Sequence, residues 1–210
     1  MQDELEYATI KDLPDCEDKW VMIRPYHSIL RLVSRISARI FLGLPLCRNE
    51  EWLEISTEFT ENVFVSLVVL RLFPMWTHGI LGFLLPSLWR GASYIRRAKK
   101  LLVPEIIRRR EQREADPKQS NNLLSWMMEI ATPDESDPSD LAHLEVVMSL
   151  ASIHTSQMNA VHVLYDLAAR SEYLETSQDE ILEVIQEDGP WRTWQKTAFS
   201  KTQEVRLIHA

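Results

Sequence analysis

The sequence predicts a mainly α-helical protein. It holds only five glycines in 210 residues, and no stretch of any length alternates apolar with polar residues as a half-buried strand does. Residues 139–170 contain neither glycine nor proline. As a single helix rising 1.5 Å per residue, they would span roughly 50 Å. A helix of that length exceeds an ordinary surface helix, so we expect the fold to be organised around it.

Composition and charge describe an ordinary acidic globular protein, with 45% hydrophobic and 26% charged residues. The length allows one good core, or at most two domains. The formal net charge of −8 argues against general nucleic-acid binding. Two cysteines, Cys16 and Cys47, provide neither a disulfide framework nor the spacing of a metal site.

The N-terminal residues are polar and acidic, unlike a signal peptide or a membrane anchor. No run of 18 or more apolar residues occurs, so we expect no transmembrane helix. The sequence therefore predicts a cytoplasmic protein, with a peripheral position on a membrane as the alternative.

The first third of the chain predicts three helices. A short helix covers residues 3–9 and is broken by the turn around Pro14. Pro25 opens a second helix, which Gly43 and Pro45 end. Asn49 is a suitable cap for a third helix from Glu50 to about Leu72. Apolar residues recur every three or four positions in the last two: Ile29, Leu32, Val33, Ile36, Ile40 and Phe41, then Trp52, Ile55, Phe59, Val63, Phe64, Leu67 and Leu70.

Residues 73–114 combine an aromatic-rich segment with a basic one. We expect residues 73–89 to form a helical hairpin that buries its own aromatic side chains, with a position over a ligand pocket and near a membrane surface as the alternative. Pro86 starts a helix that reaches about Glu114, and Pro104 should kink or divide it. This helix carries nine basic residues between Arg90 and Arg113. Such a face can meet anionic lipid or nucleic acid, but we expect it to be solvated beside the acidic remainder of the chain.

The central helix follows a polar turn at 116–122, a short helix at 123–131 and an acidic loop at 132–138. Asp137 and Pro138 form a good helix start. Residues 146–169 are apolar on most faces, which predicts burial on most sides. Beyond the helix, Ser177 and Glu180 form a capping box that predicts a last helix ending near Glu187.

A polar break, residues 151–156 with the sequence Ala-Ser-Ile-His-Thr-Ser, interrupts the central helix. Polar groups inside a buried helix need partners, and such a break often marks a ligand cavity. The segment resembles the oxygen-groove segment of the cytochrome P-450 haem-thiolate monooxygenases of filamentous fungi. Their usual pattern is Ala/Gly-Gly-x-Asp/Glu-Thr-Thr/Ser. Ser152 stands at the glycine position, His154 at that of the acid, and Thr155 at that of the threonine.

The resemblance implies that Thr155 faces the oxygen ligand of the haem and helps to deliver protons to it, with His154 in the place of the family's acid. It also implies that Ala151 and Thr155 form part of the haem-facing surface. A satisfied core histidine is the other interpretation of His154. His154 and His162 stand two helical turns apart, about 12 Å, too far to share one metal ion, and we expect no metal site.

Further segments resemble the same family, so that the resemblance covers most of positions 20–198. Residues 33–43 and 46–52 are similar to a long helix and the loop beyond it. The block from Phe41 to Asn49 also resembles the haem-ligand loop Phe-x-x-Gly-x-Arg-x-Cys-x-Gly, but its spacing fails. We therefore expect Cys47 to be a buried packing residue rather than a haem ligand.

After Ala198 the resemblance ends, and Glu204 and Arg206 lack the spacing of the family's Glu-x-x-Arg helix. We expect a helical domain at 1–198, truncated at both ends and lacking the sheets, and a divergent tail at 199–210. Haem is the family's cofactor and a reductase its partner. Because iron in this family needs a cysteine thiolate, we expect no bound haem and no monooxygenase activity here.

Three functions follow from this interpretation. The first is an inactive member of the family whose ancestral role was oxidation of a hydrophobic secondary metabolite. The second is a helical accessory protein that binds an apolar small molecule or a partner. The third is an active monooxygenase whose other half is encoded separately.

Overall fold

The computed structural model describes residues 2–14, 20–115 and 122–188. In these ranges the chain forms eight α-helices and two short 3-10 turns, and no strand. The prediction of a mainly α-helical fold is confirmed. The helices are α1 (Gln2–Asp12), α2 (Pro25–Phe41), α3 (Glu50–Arg71), α4 (His78–Leu84), α5 (Pro86–Ala115), α6 (Leu123–Ile130), α7 (Pro138–Ala169) and α8 (Glu172–Asp188).

Local signals in the sequence set several helix ends. Pro25 is the first residue of α2, and Gly43 follows its end with φ of 71°. A side chain at position 43 would also place its Cβ 2.8 Å from Nδ2 of Asn122. Both the positive φ and the lack of space therefore favour glycine there. At the start of α3, the side chain of Asn49 accepts hydrogen bonds from the backbone N–H groups of Glu51 and Trp52.

The core lies between α2, α3, α5, α6 and the first half of α7. Trp52 and Ile55 of α3 and Leu102 and Ile106 of α5 are fully buried in it. Val146 of α7 joins the same cluster. Packing of these large apolar side chains supplies most of the free energy that holds the helices together.

Paired charges attach α1 to this core. Nε of Arg35 in α2 lies 2.5 Å from a carboxylate oxygen of Asp12. Nη2 of the same guanidinium lies 2.8 Å from a carboxylate oxygen of Glu50 in α3. Glu4 forms a 3.0 Å pair with Arg48, whose guanidinium lies 4.0 Å from the ring centroid of Tyr7. Arg35 is fully buried, so these pairs offset the cost of removing its charge from water.

The buried face of α2 differs from the one that the apolar spacing indicated. Ile40 is 42% exposed, whereas Ser34, Arg35 and Ser37 are buried. Ser34 satisfies its hydroxyl by donating to the carbonyl oxygen of Leu30. The apolar spacing did not indicate this side, because several of the residues buried there are polar. Ion pairs and local hydrogen bonds satisfy these polar groups, which allows them to be buried.

The prediction of an aromatic hairpin that buries itself is wrong. Residues 73–89 form a 3-10 turn (Met75–Thr77), α4 and the start of α5, and Trp76 and Phe83 are 81% and 73% exposed. Phe83 and Trp89 meet edge to face, with ring centroids 5.7 Å apart, yet both stay exposed. A helix as short as α4 cannot cover so many large side chains.

Two further predictions concern helices. Pro104 lies inside α5 without dividing it, and the alternative, a kink, stays a prediction. Ser177 and Glu180 are interior residues of α8, which already starts at Glu172, so the proposed capping box does not begin a helix. The acidic residues Glu172 and Glu175 fall in the first turn of α8, where the helix dipole favours negative charge.

The helix α7 has one buried and one exposed side, which corrects the expectation of burial on most sides. Its start agrees with prediction, because Oδ1 of Asp137 accepts a hydrogen bond from the N–H of Ser139. The chain separates into two compact units within this helix, one up to Met158 and one from Asn159 onward. In the second unit Val161 is buried, while Val163, Tyr165 and Leu182 are exposed. The predicted tail at 199–210 lies outside the described residues.

Candidate functional site

Thr155 lies on the exposed side of α7, at the polar break of the central helix. Its hydroxyl donates within the helix, to the carbonyl oxygens of Ala151 at 2.8 Å and Ser152 at 3.1 Å. Back-bonding of this kind satisfies the donor without a tertiary partner. The oxygen of Thr155 therefore remains available as an acceptor toward whatever covers this face.

The exposed side of α7 is apolar around Thr155. Met158 is 52% exposed one turn further on, and Ala151 is exposed one turn before it. The small side chain of Ala151 leaves space for close approach by a flat or bulky group. Chemically, the arrangement is a largely apolar wall that presents the hydroxyl of Thr155, with half-buried Ser152 and exposed Ser156 beside it. Leu144, Val147, Met148, Ala151, Thr155 and Met158 are the residues of this surface, which we call the α7 face.

His154 lies on the opposite, buried side of α7, although it is adjacent to Thr155 in sequence. Its ring meets Phe64 of α3 edge to face, at 6.1 Å between centroids. Burial lowers the pKa of His154, and a hydrogen bond to the backbone of Thr57 opposes this only partly. The imidazole is therefore held neutral, and its Nε2 has no hydrogen-bond partner among the described residues.

The structure thus separates the two residues that the family pattern couples. Consecutive helical residues point about 100° apart, so His154 enters the core while Thr155 points outward with Ala151. As a core histidine, His154 is only half satisfied. Within the described ranges, no three His, Cys, Asp or Glu side chains converge as a metal ion would require.

Sequence reasoning missed further buried polar residues on α7, among them a row formed by Glu145 and Ser149. Glu145 and Ser149 are fully buried, and neither the carboxylate oxygens nor the hydroxyl has a partner in the described part of the chain. Burial raises the pKa of Glu145 to about 8, against the attraction of Arg109. Gln157 is buried too and donates to the carbonyl oxygen of Tyr26 at 3.2 Å.

A signal for this row existed in the sequence. Glu145 and Ser149 are four residues apart and adjoin Val146, so they fall on the side of the helix that also carries buried Leu141 and Ala142. A carboxylic acid on such an apolar stripe is expected to be buried and neutral rather than charged and solvated.

Cys47 is a core residue, as predicted. It is fully buried in the 3-10 turn Leu46–Arg48 and belongs to the main hydrophobic cluster. Burial raises the pKa of its thiol, so the neutral form is favoured. It cannot serve as an exposed thiolate, and Cys16 lies outside the described residues.

One known protein family matches most of the chain. The family model for cytochrome P-450 matches residues 14–199. The chain therefore belongs to the cytochrome P-450 family, and the resemblance inferred from the sequence is confirmed.

Curated relatives are fungal. A cytochrome P-450 monooxygenase of Emericella nidulans is 43% identical over 98% of this chain and 38% of its own length. The monooxygenase olcJ of Penicillium canescens is 39% identical, over 98% of this chain and 39% of its own length. An ent-kaurene oxidase of Gibberella intermedia is 39% identical, over 98% and 37%. No solved structure matches the chain significantly.

The chain spans less than two fifths of the length of these three relatives. Haem is the cofactor that the family implies, and its iron is held in such proteins by a cysteine thiolate. Among the described residues the one cysteine is Cys47, which is buried and offers no thiolate to the iron. These residues therefore do not fit the haem by themselves. None of the helices in the described ranges has the length and apolar content to cross a bilayer.

Proposed function

We propose that this chain provides the helical wall of a cytochrome P-450 substrate and oxygen groove, and that the 210-residue polypeptide has no monooxygenase activity of its own. The burial of Cys47 in the core carries this proposal. Haem iron activates oxygen when an axial thiolate donates electron density to it. A buried, protonated thiol in a packed turn does not supply that ligand.

Within this proposal, Thr155 is the residue of the α7 face that presents a hydroxyl, with Ala151 beside it leaving space. His154 is a packing residue whose neutral ring fits against Phe64. The exposed apolar side chains of the α7 face favour a hydrophobic compound, in keeping with a secondary metabolite as the ancestral substrate. A reductase partner, which the family uses, would have nothing to reduce on this polypeptide alone.

A spectroscopic experiment tests the inactive state. The purified chain is titrated with ferric haem, reduced and exposed to carbon monoxide, beside the variants Cys16→Ser and Cys47→Ser. We expect no band of the thiolate-ligated, carbon-monoxide-bound kind in any sample. A wild-type band that is lost in either variant would overturn the proposal.

An unfolded chain would also show no band, so folding has to be established first. A single cooperative urea transition, followed by near-ultraviolet circular dichroism, serves that purpose. A sample without such a transition would contradict the wall-forming role as well, since a disordered chain presents no groove.

A second function, binding of an apolar small molecule without chemistry, is favoured by the exposure of the α7 face. Met158 is 52% exposed on a helix whose other side is packed. We expect saturable binding of an uncharged apolar dye that Met158→Glu abolishes. Met22→Glu is the matched control, because Met22 is 98% exposed and lies outside the α7 face. Equal binding by both variants would exclude this second function.

A further inference from the structure

A groove of about 630 Å³ lies between α6, the loop that follows it and the first turns of α7. It shares Leu144 and Val147 with the α7 face but does not reach Thr155: Val147, its last lining residue, stands eight residues before Thr155, roughly 12 Å along the helix. The volume lies in the range of pockets that hold small molecules.

The floor and walls of the groove are apolar. Met127 and Leu141 form buried parts of its lining, with 6% and 3% of their surface exposed. Ile130, Leu144 and Val147 also line it and keep 56%, 40% and 40% of their surface exposed. Covering these side chains would remove apolar area from water, which favours binding of an apolar body.

The rim of the groove is negative. Asp134, Glu135 and Asp140 line it, and no lysine or arginine does so among the described residues. His143 is the remaining titratable lining residue. Arg110 reaches the neighbouring loop, where it donates to the carbonyl oxygen of Ser136, but it is not part of the lining.

The rim carboxylates are free to meet a ligand. In the part of the chain that the structure describes, neither Asp134 nor Asp140 forms an ion pair. Glu135 is held in place by Thr132, whose hydroxyl donates to Oε2 at 2.7 Å. This hydrogen bond and one from the backbone of Thr132 lower the pKa of Glu135, which keeps it charged.

We propose that this groove binds a compact apolar molecule that carries one positive charge, a lipophilic amine. An apolar floor under three carboxylates favours an ammonium group at the rim and a hydrocarbon body below it. Long-range attraction between the rim and a cation adds to affinity, and it disfavours an anion of the same shape. The inference does not rest on the proposed role of the α7 face around Thr155.

Three ligands of one shape test the proposal. 1-Adamantylamine is positive, 1-adamantanol is neutral and adamantane-1-carboxylate is negative at pH 7.5. Binding to the full chain is followed by isothermal titration calorimetry and by total tryptophan fluorescence, to which Trp126 on α6 beside Met127 contributes. We expect the amine to bind at least about tenfold more tightly than the alcohol, and the carboxylate to bind most weakly.

Variants then locate the binding. Asp134→Asn with Asp140→Asn should bring the affinity for the amine close to that for the alcohol, with Glu135 as the one remaining rim carboxylate. The matched control, Glu175→Gln with Asp179→Asn, removes the same charge from exposed positions on α8 and should change nothing. Val147→Ala should lower the affinities for the amine and the alcohol by the same factor, because it removes part of the apolar wall and leaves the carboxylates of the rim intact.

Several outcomes would overturn the proposal. Equal affinity for the three ligands would show that the groove does not select a cation. Unchanged amine binding in the Asp134 and Asp140 double variant would place the site elsewhere. No saturable binding in a chain that unfolds cooperatively would exclude a small amine as the occupant, and selective binding of a basic amphipathic peptide instead would assign the groove to a protein partner.

Discussion

Arg35 and Glu145 are both fully buried, and their surroundings differ completely. Arg35 is paired with Asp12 and Glu50, so its charge persists in the core. The carboxyl of Glu145 has no partner among the described residues, so burial drives it toward the neutral form. The first region keeps buried charge by pairing it, whereas the buried side of α7 removes charge by protonation.

The comparison shows that buried polarity has two different consequences for stability. A paired charge becomes costly when one partner is lost, because the other is left buried and uncompensated. A neutral buried acid without hydrogen-bond partners has a moderate cost, which increases when conditions ionise it. Mutation therefore tests the first region most sharply, and a change of pH tests the second.

The largest effect is expected for Arg35→Met. The substitution leaves the side chain of Asp12, which is 2% exposed, without its buried partner. We expect a loss of about 3–5 kcal/mol in the free energy of unfolding. Arg31→Met is the matched control, because Arg31 also contacts Asp12 but is 48% exposed, and it should cost under about 1 kcal/mol. Equal losses in urea unfolding would contradict the importance of the buried pairing.

The second prediction concerns the alkaline side of the stability profile. Burial raises the folded-state pKa of Glu145 to about 8 from its ordinary value of 4.5. Between these values the folded chain binds more protons than the unfolded one, so stability falls as pH rises and levels off above pH 8. The slope from this group is at most about 1.4 kcal/mol per pH unit. Glu145→Gln should remove this decline.

Urea midpoints measured from pH 5 to 9 check the second prediction. Glu175→Gln, a substitution at an exposed position of α8, should keep the decline. A wild-type midpoint that is flat over this range would show that Glu145 is not held neutral.

A smaller, opposite effect is expected for Glu50. Hydrogen bonds from Arg35 and Lys11 lower its pKa to about 2 from its ordinary value of 4.5. Its contribution to stability is therefore complete above pH 4.5 and disappears as pH falls toward 2. Because Glu50 is 55% exposed, solvent screens much of this contribution. Glu50→Gln should flatten the acid limb and leave the decline between pH 5 and 8 unchanged.

The smallest effect is expected for Thr155→Ala. The hydroxyl of Thr155 is satisfied inside its own helix and lies on the exposed side. We expect a change of no more than about 0.5 kcal/mol in the free energy of unfolding. A loss of 2 kcal/mol or more, roughly the cost of a buried defect, would show that Thr155 is packed in solution. Thermal unfolding by circular dichroism is sufficient to tell the two apart.

Much of the fold followed from the sequence. The starts of α2, α3 and α7 agree with Pro25, Asn49 and Asp137, because capping depends on atoms within a few residues. The burial of Cys47 also agrees. One helix start was wrong, because α8 begins at Glu172 rather than at Ser177. The other failures concern sides: α4 exposes its aromatics, and α2 buries Arg35. Which side of a helix is covered depends on residues distant in the chain, and apolar spacing alone does not reveal an ion pair that compensates a buried charge.

For the candidate site, the sequence alone identified the family and the position of Thr155 on a long helix. The tertiary structure decided that Thr155 and Ala151 face outward while His154 and Glu145 enter the core. The physical reason is that helix formation is settled by hydrogen bonds four residues apart, whereas burial is settled by how α3, α5 and α7 pack. Residues adjacent in sequence can therefore end in opposite environments, and only the packed structure shows which enters the core.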